Sequence, residues 1–188
     1  MKSIEIWKNR PNNSGSGSRG ELALFKASFI NDFIKEKNIK SIIDFGCGDL
    51  YNASLFEVKE YLGIDIVDHQ IPHKVLAKSF KTTVARFDEI KIKKNSDLVI
   101  CLDVLYHILK DELEYLKNTL EKIFQTSNKY IIIYAQDSLD IKNNNMTPIH
   151  IYNSPWRQIL EEKNIKLIYK QEKCRQGTTA KFFIYEKL

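Results

Sequence analysis

Cysteine is scarce and unpatterned: Cys47, Cys101 and Cys174 are widely separated and form no C-x-x-C pair. That excludes a zinc site or a disulfide framework and points to reduced thiols in a cytoplasmic protein. No apolar run approaches the roughly 20 residues that span a bilayer. MKSIEIWKNRP lacks the apolar stretch of a secretory signal. A concentrated basic stripe is also missing. The net charge of +5 comes from lysines scattered beside acids, as in EKNIK and KDELEYLK. Such scatter describes a solvated surface rather than a nucleic-acid footprint, while still allowing an anionic small substrate. There is no internal repeat. With 43% apolar residues, a chain of 188 is long enough for one domain with a real core.

What is present alternates. Leu22, Phe25, Phe29, Ile30, Phe33 and Ile34 recur at helical spacing, so the sequence predicts an amphipathic helix from Glu21 to about Lys37. Short apolar runs follow at Ser41–Phe45, Tyr61–Asp65, Thr82–Asp88, Asp97–Asp103 and Tyr130–Ala135, each read as a strand. Leu105, Ile108, Leu109, Leu113, Leu116, Leu120 and Ile123 predict a helix from Val104 to about Phe124. Pro155 opens a predicted helix over Trp156–Lys163, with Trp156 as a core anchor. Ile165–Gln171 and Ala180–Glu186, joined by CRQGTT, read as an antiparallel hairpin. Strands alternating with helices imply an α/β fold: a Rossmann-like, doubly wound sheet of seven strands, mostly parallel, with an antiparallel C-terminal hairpin. The Asn-rich stretch Asp137–Asn153 is a long loop of the kind that usually carries function.

The chemistry concentrates in SIIDFGCGDL, a strand, then Gly46-Cys47-Gly48, then an expected helix. Glycines there permit a turn tight enough for a ligand to reach the backbone, at the strand ends where doubly wound sheets bind ligands. A dinucleotide fingerprint G-x-G-x-x-G would need its third glycine at Tyr51, which argues against NAD or FAD. About twenty residues on, Tyr-Leu-Gly-Ile-Asp65 ends the second strand in an acid, at the spacing of a ribose-binding carboxylate.

Asp44-Phe45-Gly46-Cys47-Gly48 resembles motif I of the class I S-adenosylmethionine-dependent methyltransferases, and the resemblance continues in register over about residues 21–188. It implies that Asp44, Gly46, Cys47 and Gly48 hold the cofactor, that Asp65 with Ile66 binds the ribose, and that Phe87 and Asp88 close the third strand against the adenine. Asp97-Leu-Val-Ile-Cys-Leu-Asp103-Val-Leu-Tyr106-His107 resembles the fourth-strand motif, adding Leu102 and Asp103 to the cofactor set. Leu50 stands in place of the third motif-I glycine. The implied cofactor is S-adenosyl-L-methionine, with S-adenosyl-L-homocysteine as product. Trp7 through Lys26 is similar to the N-terminal piece of a small bacterial subgroup, some of whose members belong to surface-polysaccharide or other small-metabolite pathways.

Residues 1–20 are expected to form a flap over the methyltransferase domain at 21–188. In NNSGSGSRG, successive small residues suit an anion-binding nest, to which Arg19 adds a cation. Arg19 and Lys26 are candidates for the carboxylate of the methionine moiety. Ser16, Arg19, Tyr106, His107, His150 and Arg157 are candidates for the acceptor site, and Arg10 joins them if the acceptor is anionic. His107, expected in the first turn of a helix and so held neutral, is the candidate base, assisted by Asp103 or His150. His69 and His73 are assigned to the surface, and Cys47 is a small residue tolerated in the turn. No metal site is expected.

A nearly minimal domain favours a compact acceptor, so the expected activity is O-methylation of a small molecule or saccharide, with a phosphorylated or other anionic group among the options. An RNA or protein methyltransferase is the alternative enzyme. The Asn/Asp-Pro-Pro-Tyr signature of many nucleic-acid N-methyltransferases is absent after strand four, and nucleic acid is not the expected partner. A non-catalytic S-adenosylmethionine-binding regulator is the third reading. Nothing in the sequence speaks to oligomeric state.

Overall fold

A computed structural model describes residues 3–9, 15–69, 77, 79–137 and 154–188. Seven strands form one sheet: β1 (Ser41–Phe45), β2 (Glu60–Asp65), β3 (Ser79–Val84), β4 (Ser96–Leu102), β5 (Ser127–Gln136), β6 (Ile165–Lys170) and β7 (Ala180–Lys187). Their order is β3-β2-β1-β4-β5-β7-β6. The first five run parallel to one another, and β7 runs antiparallel to both β5 and β6. The chain therefore turns back between β1 and β4, and the crevice at their carboxyl ends is where such sheets bind ligands.

SIIDF is buried almost throughout because β1 lies between β2 and β4 with layers on both faces. On one face sits α2 (Gly20–Lys37), which buries Ala23, Ala27, Ile30, Phe33 and Ile34 along one stripe. Asn38 in the left-handed region ends it, its amide bonding back to Ile34 and Lys35 carbonyls. The residues after the glycine turn, Leu50, Ala53 and Phe56, join that layer. The other face is covered by α3 (Leu113–Thr126), α4 (Trp156–Glu161) and the Phe87–Ile90 turn. Trp156 is fully buried there, its indole N–H donating to the Gln136 carbonyl at 2.9 Å. A short helix, α1 (Ser3–Lys8), precedes α2. Among the described residues no helix is long and apolar enough to cross a membrane.

Three local expectations are corrected. No α-helix follows the glycine turn among the described residues; one 3-10 turn, Ala53–Leu55, stands there. β3 begins at Ser79 and stops at Val84, because it pairs Ser79 with Glu60 through Val84 with Asp65 and ends where β2 ends. Phe87 and Asp88 thus lie in the turn beyond the strand. All six β3 residues are exposed, so no alternation of burial marked the limits of the strand. Finally, the helix expected from Val104 starts only at Leu113. Two 3-10 turns, Leu105–His107 and Lys110–Glu112, precede it, and Ile108 and Leu109 between them are extended. Leu105 and Ile108 are both buried, and a spacing of three serves a 3-10 turn as well as an α-helix.

Candidate functional site

The glycine turn is held from below by β2: the Gly46 and Cys47 amides both donate to the Ile64 carbonyl, at 2.7 and 3.2 Å. Gly46 has φ +87°, and a Cβ there would collide with the Val104 side chain. The turn after β1 therefore lies hard against the chain leaving β4, and only glycine fits. Cys47 points inward, where a Cβ on Gly63 would meet its sulfur at 2.8 Å. Burial pushes its thiol well above the usual range, so it is an apolar filler and no thiolate. Leu50, in the place of the third glycine, keeps a left-handed φ of +66° while fully buried.

The acids sit at the strand ends in different states. Asp44 is buried; the Tyr61 hydroxyl donates to its Oδ2 at 2.6 Å, and its Oδ1 has no partner among the described residues. Desolvation pushes its carboxyl up to about 7, against the lowering effect of Tyr61. Asp65 ties β2 to the turn: its Oδ2 accepts the Gly48 amide at 2.8 Å and its Oδ1 the Val67 amide at 3.0 Å. His69, expected at the surface, is buried with Nε2 3.7 Å from Asp65 Oδ1. Asp88 is clamped by the Arg86 guanidinium through two bonds of 3.0 and 2.9 Å. Phe87 is buried between Phe45 and Tyr115. Ile66 is partly buried against the α3 face, and Leu102 is buried on the α2 face.

At the end of β4, Asp103 turns the chain with φ +59°, a strained conformation for an aspartate. Its Oδ2 accepts from the fully buried Lys26 ammonium at 2.7 Å, and its Oδ1 from the Tyr106 hydroxyl at 2.7 Å. Burial, with Asp103 beside it, raises Tyr106 well above the usual tyrosine range, so it stays a donor. Gly17 lies against the same carboxylate; a Cβ there would stand 3.3 Å from Asp103 Oδ2. His107 closes its 3-10 turn rather than opening a helix, which removes the expected effect of a helix N-terminus on its charge. Its ring is 4.4 Å from Tyr106 and 4.8 Å, edge to face, from Trp7.

The N-terminal piece thus reaches the strand ends. Ser3 donates its amide to Glu112 Oε2 at 3.0 Å, and Ile4 packs against the core of the α3 face. Arg19 spans both oxygens of Asp49, just past the glycine turn, with its guanidinium 4.9 Å from the Tyr51 ring. Arg157 pairs with Asp137 at 2.9 Å and Glu161 at 2.8 Å. Ser16 lies in the 3-10 turn Ser16–Ser18, and its side chain is outside the description. Arg10, His73 and His150 lie outside the described residues. Tyr61, Asp49, Arg86 and His69 had no signal of their own in the sequence, since each acts through a partner distant in sequence or through a turn. Among the described residues no cluster of His, Cys, Asp and Glu could hold a metal ion.

The crevice offers acceptors, the orphan oxygen of Asp44 and the carboxylate of Asp65, beside a turn with no room for a side chain. These are of the kind that the ammonium, ribose diol and amino group of an S-adenosyl nucleoside need, while its carboxylate needs donors. A methyltransferase domain family model matches residues 19–168. No curated protein matches the chain. Solved structures do. Magnesium protoporphyrin IX methyltransferase (ChlM) from Synechocystis PCC 6803, with bound S-adenosylhomocysteine, superposes with a TM-score of 0.69 at 15% identity, covering 99% of this chain and 100% of that one. The N-methyltransferase NodS from Bradyrhizobium japonicum WM9, also with S-adenosylhomocysteine, gives 0.70 at 8% identity, covering 100% and 99%. The 1,6-didemethyltoxoflavin-N1-methyltransferase from Burkholderia thailandensis gives 0.70 at 12%, covering 98% and 86%. At these identities the likeness is one of fold.

Proposed function

Because this chain belongs to the methyltransferase domain family, we propose that it uses S-adenosylmethionine to methylate a hydroxyl oxygen of a compact acceptor, a small molecule or a saccharide. The observation that carries the reading is the meeting, at one strand crevice, of a glycine turn, two acids and a part-exposed histidine. Two of the three neighbours named above are named for a porphyrin and a didemethyltoxoflavin, which supports a small acceptor. A place in surface-polysaccharide synthesis belongs to the same proposal and rests on the N-terminal segment alone.

Gly46, Cys47 and Gly48 form the cradle, with Asp44 and Asp65 as acceptors toward ammonium and ribose. The Asp65 carboxylate offers about four lone-pair sites and spends two on the Gly48 and Val67 amides, leaving capacity for a diol. Ile66, Phe87, Asp88 and Leu102 complete the nucleoside wall. The bound sulfonium supplies an activated methyl carbon. The chain's own task is to hold the acceptor in line with it and to take the hydroxyl proton. His107 takes that proton, while Asp103, fixed by Lys26 and Tyr106, orients the neighbourhood of the base. Residues 1–20 act as a flap over the domain at 21–188, a role supported by the contacts of Trp7 with His107, Gly17 with Asp103 and Arg19 with Asp49.

Calorimetry with S-adenosylhomocysteine tests the cofactor half. Asp65→Ala should weaken binding by about tenfold or more, since a charge-assisted bond is lost; unchanged affinity overturns the placement. For the base, His107→Ala should cost about 10²–10⁴ in kcat, and a loss under about twofold removes His107 from catalysis.

A further inference from the structure

We infer that Trp7, Tyr106 and His107 form the seat of the methyl acceptor and that this acceptor is an uncharged, flat conjugated ring carrying a hydroxyl. The inference rests on the small-acceptor reading above and narrows its substrate.

Two observations meet. The first is the corner of rings. Trp7 arrives from α1, Tyr106 and His107 from the turn after β4, and their centroids lie 4.8 and 4.4 Å from the central His107. All three are only partly buried, although three fully buried rings, Tyr134, Phe182 and Phe183, show that the chain has core places for aromatics. The corner stands beside Asp103, and Val104 touches the glycine turn, so the rings border the crevice that takes the nucleoside. α1 is held at that position by the Ser3 bond to Glu112 and by Ile4, which packs against the core.

The second observation is that, among the described residues, the cations proposed for an anion, Lys26, Arg157 and Arg19, are already matched; Arg10 lies outside those residues. Lys26 stands at 2.7 Å from Asp103, Arg157 at 2.9 and 2.8 Å from Asp137 and Glu161, and Arg19 against both oxygens of Asp49. To engage any of these three, an anionic acceptor would have to draw it away from its carboxylate, leaving a partly buried charge uncompensated. A sugar sets hydroxyls around its whole rim and needs a polar partner for most of them. The polar groups these three rings present are the Trp7 indole N–H, the His107 nitrogens and the lone pairs of a Tyr106 hydroxyl whose proton is given to Asp103. A flat ring with one hydroxyl asks for what this surface has: faces and edges for stacking, and a single polar contact near the base.

The test uses saturation-transfer NMR on the full chain, with and without S-adenosylhomocysteine. The probes are 2-naphthol and 7-hydroxycoumarin as flat rings, methyl glucoside as the neutral sugar, and glucose 1-phosphate as the anion. The two flat probes should bind in preference to the sugars. Trp7→Ala should weaken them about tenfold, as expected for the loss of one well-made aromatic contact. Trp7→Phe should restore most of the signal, and S-adenosylhomocysteine affinity should stay within about twofold in both variants. Flat probes that fail to bind, or that bind equally well to Trp7→Ala, overturn the proposal. So does a sugar or sugar phosphate that binds more strongly in a Trp7-dependent way. Failure of S-adenosylhomocysteine to bind strikes the cofactor placement instead, and the arm without it still decides the ring seat.

Discussion

Replacing Leu50 by glycine and, separately, by alanine sets two opposing costs against each other at one position. Leu50 is fully buried on the α2 face and holds φ +66° where the family motif has glycine. Removing a buried leucine side chain costs about 2–5 kcal/mol, and both variants pay it. A left-handed backbone costs a residue with a Cβ about 1–2 kcal/mol, which alanine keeps and glycine sheds. Against that, glycine carries a handicap of about 0.5–1 kcal/mol relative to alanine from its freedom in the unfolded chain. The difference leaves glycine ahead by roughly 0–1.5 kcal/mol, about 0.7 at mid-range, the reverse of the usual order. Both variants should be less stable than the parent, because the core loss exceeds the strain relieved. Urea denaturation reads the comparison, where a gap of that size moves the midpoint by a few tenths of molar, with m near 1–3 kcal/mol/M. If alanine proves more stable than glycine by about 1 kcal/mol, the strain assigned to Leu50 is absent and the reasoning fails.

Asp44 makes the stability of the chain pH-dependent. Its folded carboxyl is raised to about 7 from an ordinary 3.8, so the native state binds the extra proton. Stability should therefore fall as pH rises from about 4 through about 7 on this account. Asp44→Asn, which leaves an acceptor for the Tyr61 hydroxyl, should flatten that slope in urea midpoints taken across the range; an unchanged slope would falsify the assignment. The Lys26–Asp103 pair should behave as a buried couple. Lys26→Met alone is expected to cost about 3–5 kcal/mol, and adding Asp103→Asn should recover part of it. Additive losses in that double-mutant cycle would mean the two groups do not couple.

The parts of the fold that could be read in advance were those where one physical signal dominates. β1 is buried on both faces, so SIIDF is apolar throughout and its limits were legible to the residue. α2 differs from expectation by one residue, because its stripe is long and Asn38 stops it. β3 was found but placed too late, at Thr82–Asp88 instead of Ser79–Val84, since an exposed edge strand buries nothing that could mark its limits. The stretch after β4 misled because Leu105 and Ile108 satisfy two kinds of turn, and the extended backbone at Leu109 leaves no mark in composition. At the site, Asp44, Asp65 and Asp103 could be named from strand ends, whereas their partners could not. Tyr61, Arg86, His69 and Lys26 are brought to the acids by pairing and packing, and of these only Lys26 was nominated beforehand, for a different partner.

The outermost strand carries its own protection. With every residue of β3 exposed and no described strand beyond it, a row of backbone amides and carbonyls faces outward, flanked by Phe80 and Val84, an inviting template for a foreign strand. Lys81 stands within that row. A strand adding itself there would come up beside that ammonium, and an edge lysine of this kind disfavours pairing edge to edge.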